Sequence, residues 1–199
     1  HYTGRVYHGG GRVFADQVWG STQRSYGRLA VDAPQWFGVP DDARLPRITV
    51  GMITRNHARW IGEAVASALS QDYPDFEVLV VDDGSTDETP QILAALQDER
   101  LRVIRKDPTN IPDTRNRLLE QARGEYVCWL DSDDVLLPGT LRAYGHRVLD
   151  WPETAVFYGD MVQIDGDGRE SGKLRYDNHA GNGHLLSRLF QRNHMPNPG

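Results

Sequence analysis

The sequence predicts an α/β domain with a mainly parallel sheet covered by helices on both faces. From Arg47 onward, strand-like and helix-like patterns alternate four times. Their spacing of roughly 25 residues suits successive βαβ units with right-handed crossovers. The strand candidates are short and mainly apolar, Tyr126–Leu130 without polar alternation, as expected where both faces of a sheet are buried. Two of those runs end on clustered aspartates, Asp82-Asp83 and Asp131-Ser-Asp-Asp134.

Taken in order, residues 1–46 show no sustained period and are read as an irregular extension. His8-Gly-Gly-Gly11 reads as flexible, Val31–Pro40 as turn-rich and Pro40-Asp41-Asp42 as a break, and Trp19, Tyr26, Trp36 and Phe37 imply partial packing onto the domain that begins at Arg47. Ile48–Ile53 reads as the first strand, ending at Thr54-Arg-Asn56. Trp60, Ile61, Ala64, Val65, Ala68 and Leu69 recur at helical spacing over 58–71. Phe76–Val81 is the second strand, with Ser85 or Thr86 as cap of a helix through Ile92, Leu93 and Leu96. Leu101–Ile104 is the third strand. Pro112 opens a helix that Gly124 closes. Tyr126–Leu130 reads as a buried, central strand, and Pro138 as the first turn of a helix to Leu149. Thr154–Tyr158 is a fifth strand ending at Gly159-Asp160. Met161–Ile164 and the Asp165-Gly-Asp-Gly168 turn suggest a hairpin, and 184–190 a short helix.

The 199 residues suffice for one domain with a sizeable core, and 39% hydrophobic with 25% charged residues is a globular composition. A formal charge of −6 argues against a nucleic-acid surface. Twenty of the 22 basic residues are Arg, a bias that codon usage explains as well as phosphate binding does. The single cysteine, Cys128, excludes a disulfide framework and points to a reducing compartment. No apolar run approaches a membrane span of about 18 residues. The chain begins at His1 and ends at Asn197-Pro-Gly199 without a closing element. Those ends predict a fragment, incomplete at the C-terminus.

In open α/β sheets, ligands bind beyond the carboxyl ends of the strands. Carboxylates crowded there repel one another unless a cation joins them. All-oxygen ligation suits Mg²⁺ or Mn²⁺, ions that usually share their shell with substrate phosphates. The alternative is a solvated turn in which an Asp caps the next helix. There is no Gly-x-x-x-x-Gly-Lys loop, no Gly-x-Gly-x-x-Gly after the first strand, no Gly-x-Ser-x-Gly, His-Glu-x-x-His or Cys-x-x-Cys. P-loop, dinucleotide, hydrolase-elbow and zinc chemistries are thereby set aside.

Several ordered motifs run from about 47 to 165: Val50-Gly-Met-Ile-Thr-Arg-Asn56, Ala68-Leu-Ser-Gln-Asp-Tyr73, Val80-Val-Asp-Asp-Gly-Ser-Thr-Asp-Glu-Thr89, Arg115-Asn116, Gly124-Glu-Tyr126 and Leu130-Asp-Ser-Asp-Asp134. Together they resemble the family 2 glycosyltransferases of GT-A fold, a three-layer α/β/α sandwich. The resemblance implies transfer, with inversion, of a sugar from a nucleotide diphosphate, usually UDP, to an acceptor hydroxyl. It implies a donor-binding domain over 47–165 and the start of an acceptor-binding region over 166–199. Carried over by position, Asp83 accepts from the uracil N3–H, and Ile53–Asn56, with Thr54 and Asn56, line the base pocket. Arg115 lies near the diphosphate. Asp133 is the direct metal ligand, and Asp131 serves the ribose or a metal-bound water. Asp134 orients a sugar hydroxyl or caps a helix, and Asp82 is structural.

The family's catalytic base, an Asp or Glu of the acceptor half, is expected beyond Gly199. Asp160, His184 and His194 are the nearby candidates, Asp160 being the one retained. The resemblance also implies a saccharide acceptor and a possible peripheral place at the inner membrane face. Two other readings compete. One is a non-catalytic nucleotide-sugar binding module. The other is a Mg²⁺-dependent phosphoacceptor receiver, against which stand an Asp pair after the second strand and no Lys after Tyr158-Gly-Asp160.

Overall fold

The computed structural model describes residues 2–8, 11–13, 44–152, 157, 159–165 and 169–174. Its strands are β1 (Tyr2–His8), β2 (Gly11–Val13), β3 (Ile48–Thr54), β4 (Phe76–Asp83), β5 (Leu101–Lys106), β6 (Tyr126–Trp129), β7 (Gly159–Ile164) and β8 (Glu170–Leu174). Its helices are α1 (Ile61–Leu69), α2 (Thr89–Ala95), α3 (Ile111–Gln121) and α4 (Thr140–Asp150). One sheet has the order β5-β4-β3-β6, and every neighbouring pair in it is parallel. The other, β2-β1-β7-β8, is antiparallel.

The period-2 alternation of β3 and β4 sorts their side chains onto two faces. Val50, Met52, Val78 and Val80 pack with Ile61, Val65 and Ala68 of α1 and Leu93 of α2. Leu79 and Val81 point the other way and meet Leu118 of α3. Because both faces are covered, β4 is buried at every position, which is why Val78–Val81 is an unbroken apolar run. Leu118 is the fully buried anchor of α3, and its truncation to Ala is expected to cost about 3 kcal/mol.

The Ala68–Tyr73 motif is structural. Buried Gln71 donates through Nε2 to Leu137 O (2.9 Å) and accepts from Leu141 N (3.2 Å). Leu136 N donates to Ser67 Oγ (3.0 Å). The end of α1 thus pins the segment that leaves the acidic turn. Val135 of that segment packs against Val162 and Ile164 of β7, which joins the second sheet to the back of the turn.

Several expectations are corrected. The Tyr126–Leu130 run is a four-residue, half-buried strand, with Trp129 38% exposed; among the described residues it pairs with β3 alone, while β3 and β4 have neighbours on both sides. An apolar run does not distinguish a strand with one neighbour from a strand with two. Neither Ser85 nor Thr86 caps α2, whose N-cap is Glu88 without a side-chain bond. Both are held instead by Asn56. Pro138 precedes α4, which starts after Gly139 in a left-handed conformation (φ 79°). Gly124 lies beyond the end of α3 at Gln121. It sits where backbones converge: its N–H donates to Thr49 Oγ1 (2.8 Å), and a Cβ there would come within 2.3 Å of Thr49 N.

Residues 2–8 and 11–13 are not irregular but form an antiparallel pair, with His8 opposite Gly11. The two-residue Gly9-Gly10 connection is the hairpin signal that marked them. Asp160 lies inside β7. The β7–β8 pairing confirms the hairpin around Asp165–Gly168. Trp19, Tyr26, Trp36, Phe37, most of Thr154–Tyr158, His184, His194 and the 184–190 helix fall outside the described residues.

Candidate functional site

A cleft of about 450 Å³ opens at the carboxyl ends of β3, β4 and β6, in the size range of small-ligand sites. Its walls bring together five of the residues singled out from sequence: Thr54, Asp83, Arg115, Asp131 and Asp133. They come from four segments, because parallel strands place all their carboxyl ends on one edge. His57, Thr109, Asn110, Thr114 and Ser132 complete much of the lining.

Asp83 ends β4 and is buried. Its Oδ1 accepts from Lys106 Nζ (2.6 Å) and from Thr109 N (3.0 Å). Burial pushes the carboxyl up, but the hydrogen bonds from Lys106, Thr109 N and Thr114 outweigh it and hold the group below the ordinary carboxylate range. Asp83 is therefore a fixed anion, able to accept but not to donate. Lys106 also bonds the Thr109 hydroxyl and lies 3.4 Å from Asp113 Oδ2. Asn110 caps α3 by accepting from Asp113 N (2.9 Å).

Asp131 follows β6. Burial pushes its carboxyl up, nearby Asp133 adds to the rise, and Arg115 and His57 pull against it. Asp133 is exposed. The Arg115 guanidinium lies over the Trp129 ring, 5.7 Å from its centroid. Thr54 is 4% exposed. Thr54 Oγ1 and Arg115 Nε are both buried without a hydrogen-bond partner.

Two candidates are not brought to the cleft walls in this way. Asn56, at φ 57°, accepts through Oδ1 from Thr86 N (2.8 Å), while its own N–H donates to Ser85 Oγ (2.9 Å). It locks the loops after β3 and β4 together. Asp160 belongs to the antiparallel sheet, paired across to Arg5. Asp82 has the structural part assigned to it: its Oδ1 accepts from Ser85 N (2.9 Å), and its Oδ2 lies 3.8 Å from Arg105. Asp134 is buried, and Asp134 N donates to Asp131 O (3.1 Å) within the turn; it is not the cap of α4. Cys128 packs against the core and burial pushes its thiol up to about 12, so it is no nucleophile.

The sequence reading missed Lys106 and His57. Lys106 is the last residue of β5, a strand end beside a strand end, and that position was the available signal. Nothing in the sequence marked His57, whose Nδ1 lies 2.6 Å from Ser132 Oγ.

Among the described residues, no three His, Cys, Asp or Glu side chains converge as a ready-made metal cage. No described helix is long and apolar enough to cross a membrane.

A parallel sheet with helices on both faces and a cleft at its acidic strand ends is the arrangement of a GT-A sandwich. Residues 49–196 match the family described as Glycosyl transferase family 2, and the chain belongs to that family. It is 38% identical over 125 residues to the succinoglycan biosynthesis protein ExoO of Rhizobium meliloti, covering 62% of this chain and 36% of the relative. It is 36% identical over 101 residues to the GalNAc(5)-diNAcBac-PP-undecaprenol beta-1,3-glucosyltransferase of Campylobacter jejuni, covering 49% and 33%. The crystal structure of S. aureus TarS 1-349 in complex with UDP-GlcNAc superposes with a TM-score of 0.50 at 36% identity, over 52% of this chain and 31% of that one. The chain thus spans about a third of the length of these proteins. Membership of this family leaves no ground for the phosphoacceptor reading.

Proposed function

We propose that this chain binds a nucleoside diphosphate sugar, with uridine as the nucleoside, for inverting transfer of the sugar to an acceptor hydroxyl. The observation that carries the reading is the convergence of Thr54, Asp83, Arg115, Asp131 and Asp133 on one cleft. Asp83, a fixed acceptor, suits a base edge that presents an N–H, as uracil does. Thr54 and Arg115 line the same cleft, and a nucleotide offers them hydroxyl and phosphate oxygens. Trp129 beneath Arg115 limits the rotamers of the guanidinium and so favours a phosphate contact.

Asp131 and Asp133 form an all-oxygen pair whose mutual repulsion raises Asp131. That donor set fits Mn²⁺ or Mg²⁺, completed by diphosphate oxygens and water. Such an ion, when bound, stabilises the charge that develops on the departing diphosphate. Asp133, exposed at the mouth, is the direct ligand, and half-buried Asp131 orients the ribose side. An acceptor hydroxyl needs a base opposite the leaving group; no described residue is assigned that part, and Asp160 in β7 is the candidate that the sequence offers. The names of the succinoglycan and undecaprenol-linked relatives support a saccharide acceptor, and with it a cytoplasmic chain working at the inner membrane face.

Calorimetric titration of UDP with and without Mn²⁺, repeated on Asp133→Ala, tests the reading. Binding that needs the metal and is lost in the variant supports it. Absence of UDP binding under either condition overturns it.

A further inference from the structure

The loop after β3 is tied to the loop after β4 and the start of α2 by five hydrogen bonds: Asn56 N to Ser85 Oγ (2.9 Å), Thr86 N (2.8 Å) and Thr86 Oγ1 (3.3 Å) to Asn56 Oδ1, His57 N to Thr89 Oγ1 (3.0 Å) and Ala58 N to Asp87 Oδ2 (3.0 Å). The two loops therefore behave as one rigid piece, which also carries Asp83 at its base. On its other side, this piece meets the acidic turn through His57, whose Nδ1 lies 2.6 Å from Ser132 Oγ. Ser132 is 3% exposed and is the middle residue of Asp131-Ser132-Asp133.

We propose that His57 is a positioning residue, which acts through Ser132 to fix the two flanking carboxylates relative to the nucleotide half of the cleft. The proposal rests on the donor-site reading above. Ser132 is sandwiched between the two candidate ligands, so a shift of its Oγ shifts the backbone that both share. The bond spans 75 residues of sequence, and the backbone of His57 is itself anchored by Thr89. The ring therefore has a fixed origin from which to hold the turn. Either partner can donate, depending on the imidazole tautomer, and the same distance is held in both cases. Partners that orient metal-binding carboxylates typically contribute about 10- to 100-fold in metal affinity.

The test is Mn²⁺ uptake in the presence of UDP, read from the free-ion electron paramagnetic resonance signal at one fixed pH. Wild type is compared with His57→Ala, Ser132→Ala, their double variant, His57→Asn and His57→Gln. Each alanine variant is expected to weaken Mn²⁺ binding about tenfold, and the double variant no more than either single one. His57→Asn, whose amide nitrogen falls near the position of Nδ1, is expected to recover most of the affinity, and His57→Gln is not. Thermal melts accompany each variant; should His57→Ala not fold, Ser132→Ala and the Asn/Gln contrast decide the matter. Loss in His57→Ala with none in Ser132→Ala overturns the proposal, because His57 then touches the ligand directly. Multiplying effects in the double variant overturn it too, as does wild-type affinity in every variant. A wild type that binds UDP but takes up no Mn²⁺ overturns this proposal and the metal assignment, while the nucleotide reading stands.

Discussion

Lys106 holds Asp83: its Nζ donates to Asp83 Oδ1 across 2.6 Å, from the end of one strand to the end of its neighbour. The carboxylate assigned to the base is thus charged and aimed before any ligand arrives. Lys106→Met keeps most of the stem and removes the charge. It is expected to weaken UDP binding about tenfold, the worth of one charge-assisted hydrogen bond, and Asp83→Ala at least as much. Titration of UDP into the variants by calorimetry checks both. Affinities equal to wild type would remove Asp83 from the nucleotide site.

Asp131 is kept at the cleft against its own electrostatics, raised by burial and by Asp133. Asp131→Asn relieves that conflict. At neutral pH the variant is expected to melt higher than wild type without ligand, yet to lose about tenfold or more of its Mn²⁺-dependent UDP affinity. Melting curves with and without Mn-UDP read both effects in one experiment.

At the opposite end of the sheet, Glu77 is buried and accepts from Thr49 Oγ1 (2.9 Å), Arg102 Nη1 (2.8 Å) and Arg123 N (2.7 Å). Burial pushes its carboxyl up, but these donors prevail and leave it below its ordinary value of 4.5. A depressed folded pKa contributes stability that is complete above the ordinary value and is lost as pH falls through the folded one. Glu77→Ala is therefore expected to cost about 3 kcal/mol at pH 7, with a smaller deficit at pH 3. Urea unfolding at the two pH values measures the difference; an equal deficit at both would remove the charge from the explanation.

Gly124→Ala places a Cβ within 2.3 Å of Thr49 N and 2.7 Å of Tyr126 O. Backbone atoms on both sides cannot yield as a flexible side chain does, so a loss of about 2–4 kcal/mol is expected. Asn56→Ala loses the bond to Thr86 N and strains a left-handed residue. It is expected to cost about 1–2 kcal/mol and to lower UDP affinity less than Asp83→Ala does. Denaturation midpoints, with UDP titrations for Asn56→Ala, test the pair.

The acidic strand ends were legible in the sequence because strand direction alone sends Asp83, Asp131 and Asp133 to one edge, and Thr54 with them. Arg115 was marked only by the family resemblance. Side-chain bonds between distant segments leave no periodic trace, so the bond of Lys106 to Asp83, 23 residues away, showed only as a strand-end position, and that of His57 to Ser132, 75 residues away, not at all. Asn56 and Gly124 lay in conspicuous motifs, yet one locks two loops and the other admits a close backbone approach. Residue type announced their importance without saying which kind it was. That β6 pairs, among the described residues, with β3 alone was hidden for a related reason: apolar side chains report that a face is covered, not whether the strand has two neighbours.

The parallel order β5-β4-β3-β6 has a kinetic consequence. β3 adjoins β6 only after the 71 residues 55–125 have crossed over and returned to the sheet. Non-local pairings of that kind close late, since loop entropy is lost before contacts reward it. Thr54 and Asp131, at the ends of those two strands, therefore meet among the last events of folding. A nucleotide seated between them holds the finished sheet shut. Bound UDP is expected to slow hydrogen exchange throughout β3 and β4, including the amides of Ile48 and Val78 far from the cleft, wherever exchange proceeds through global opening.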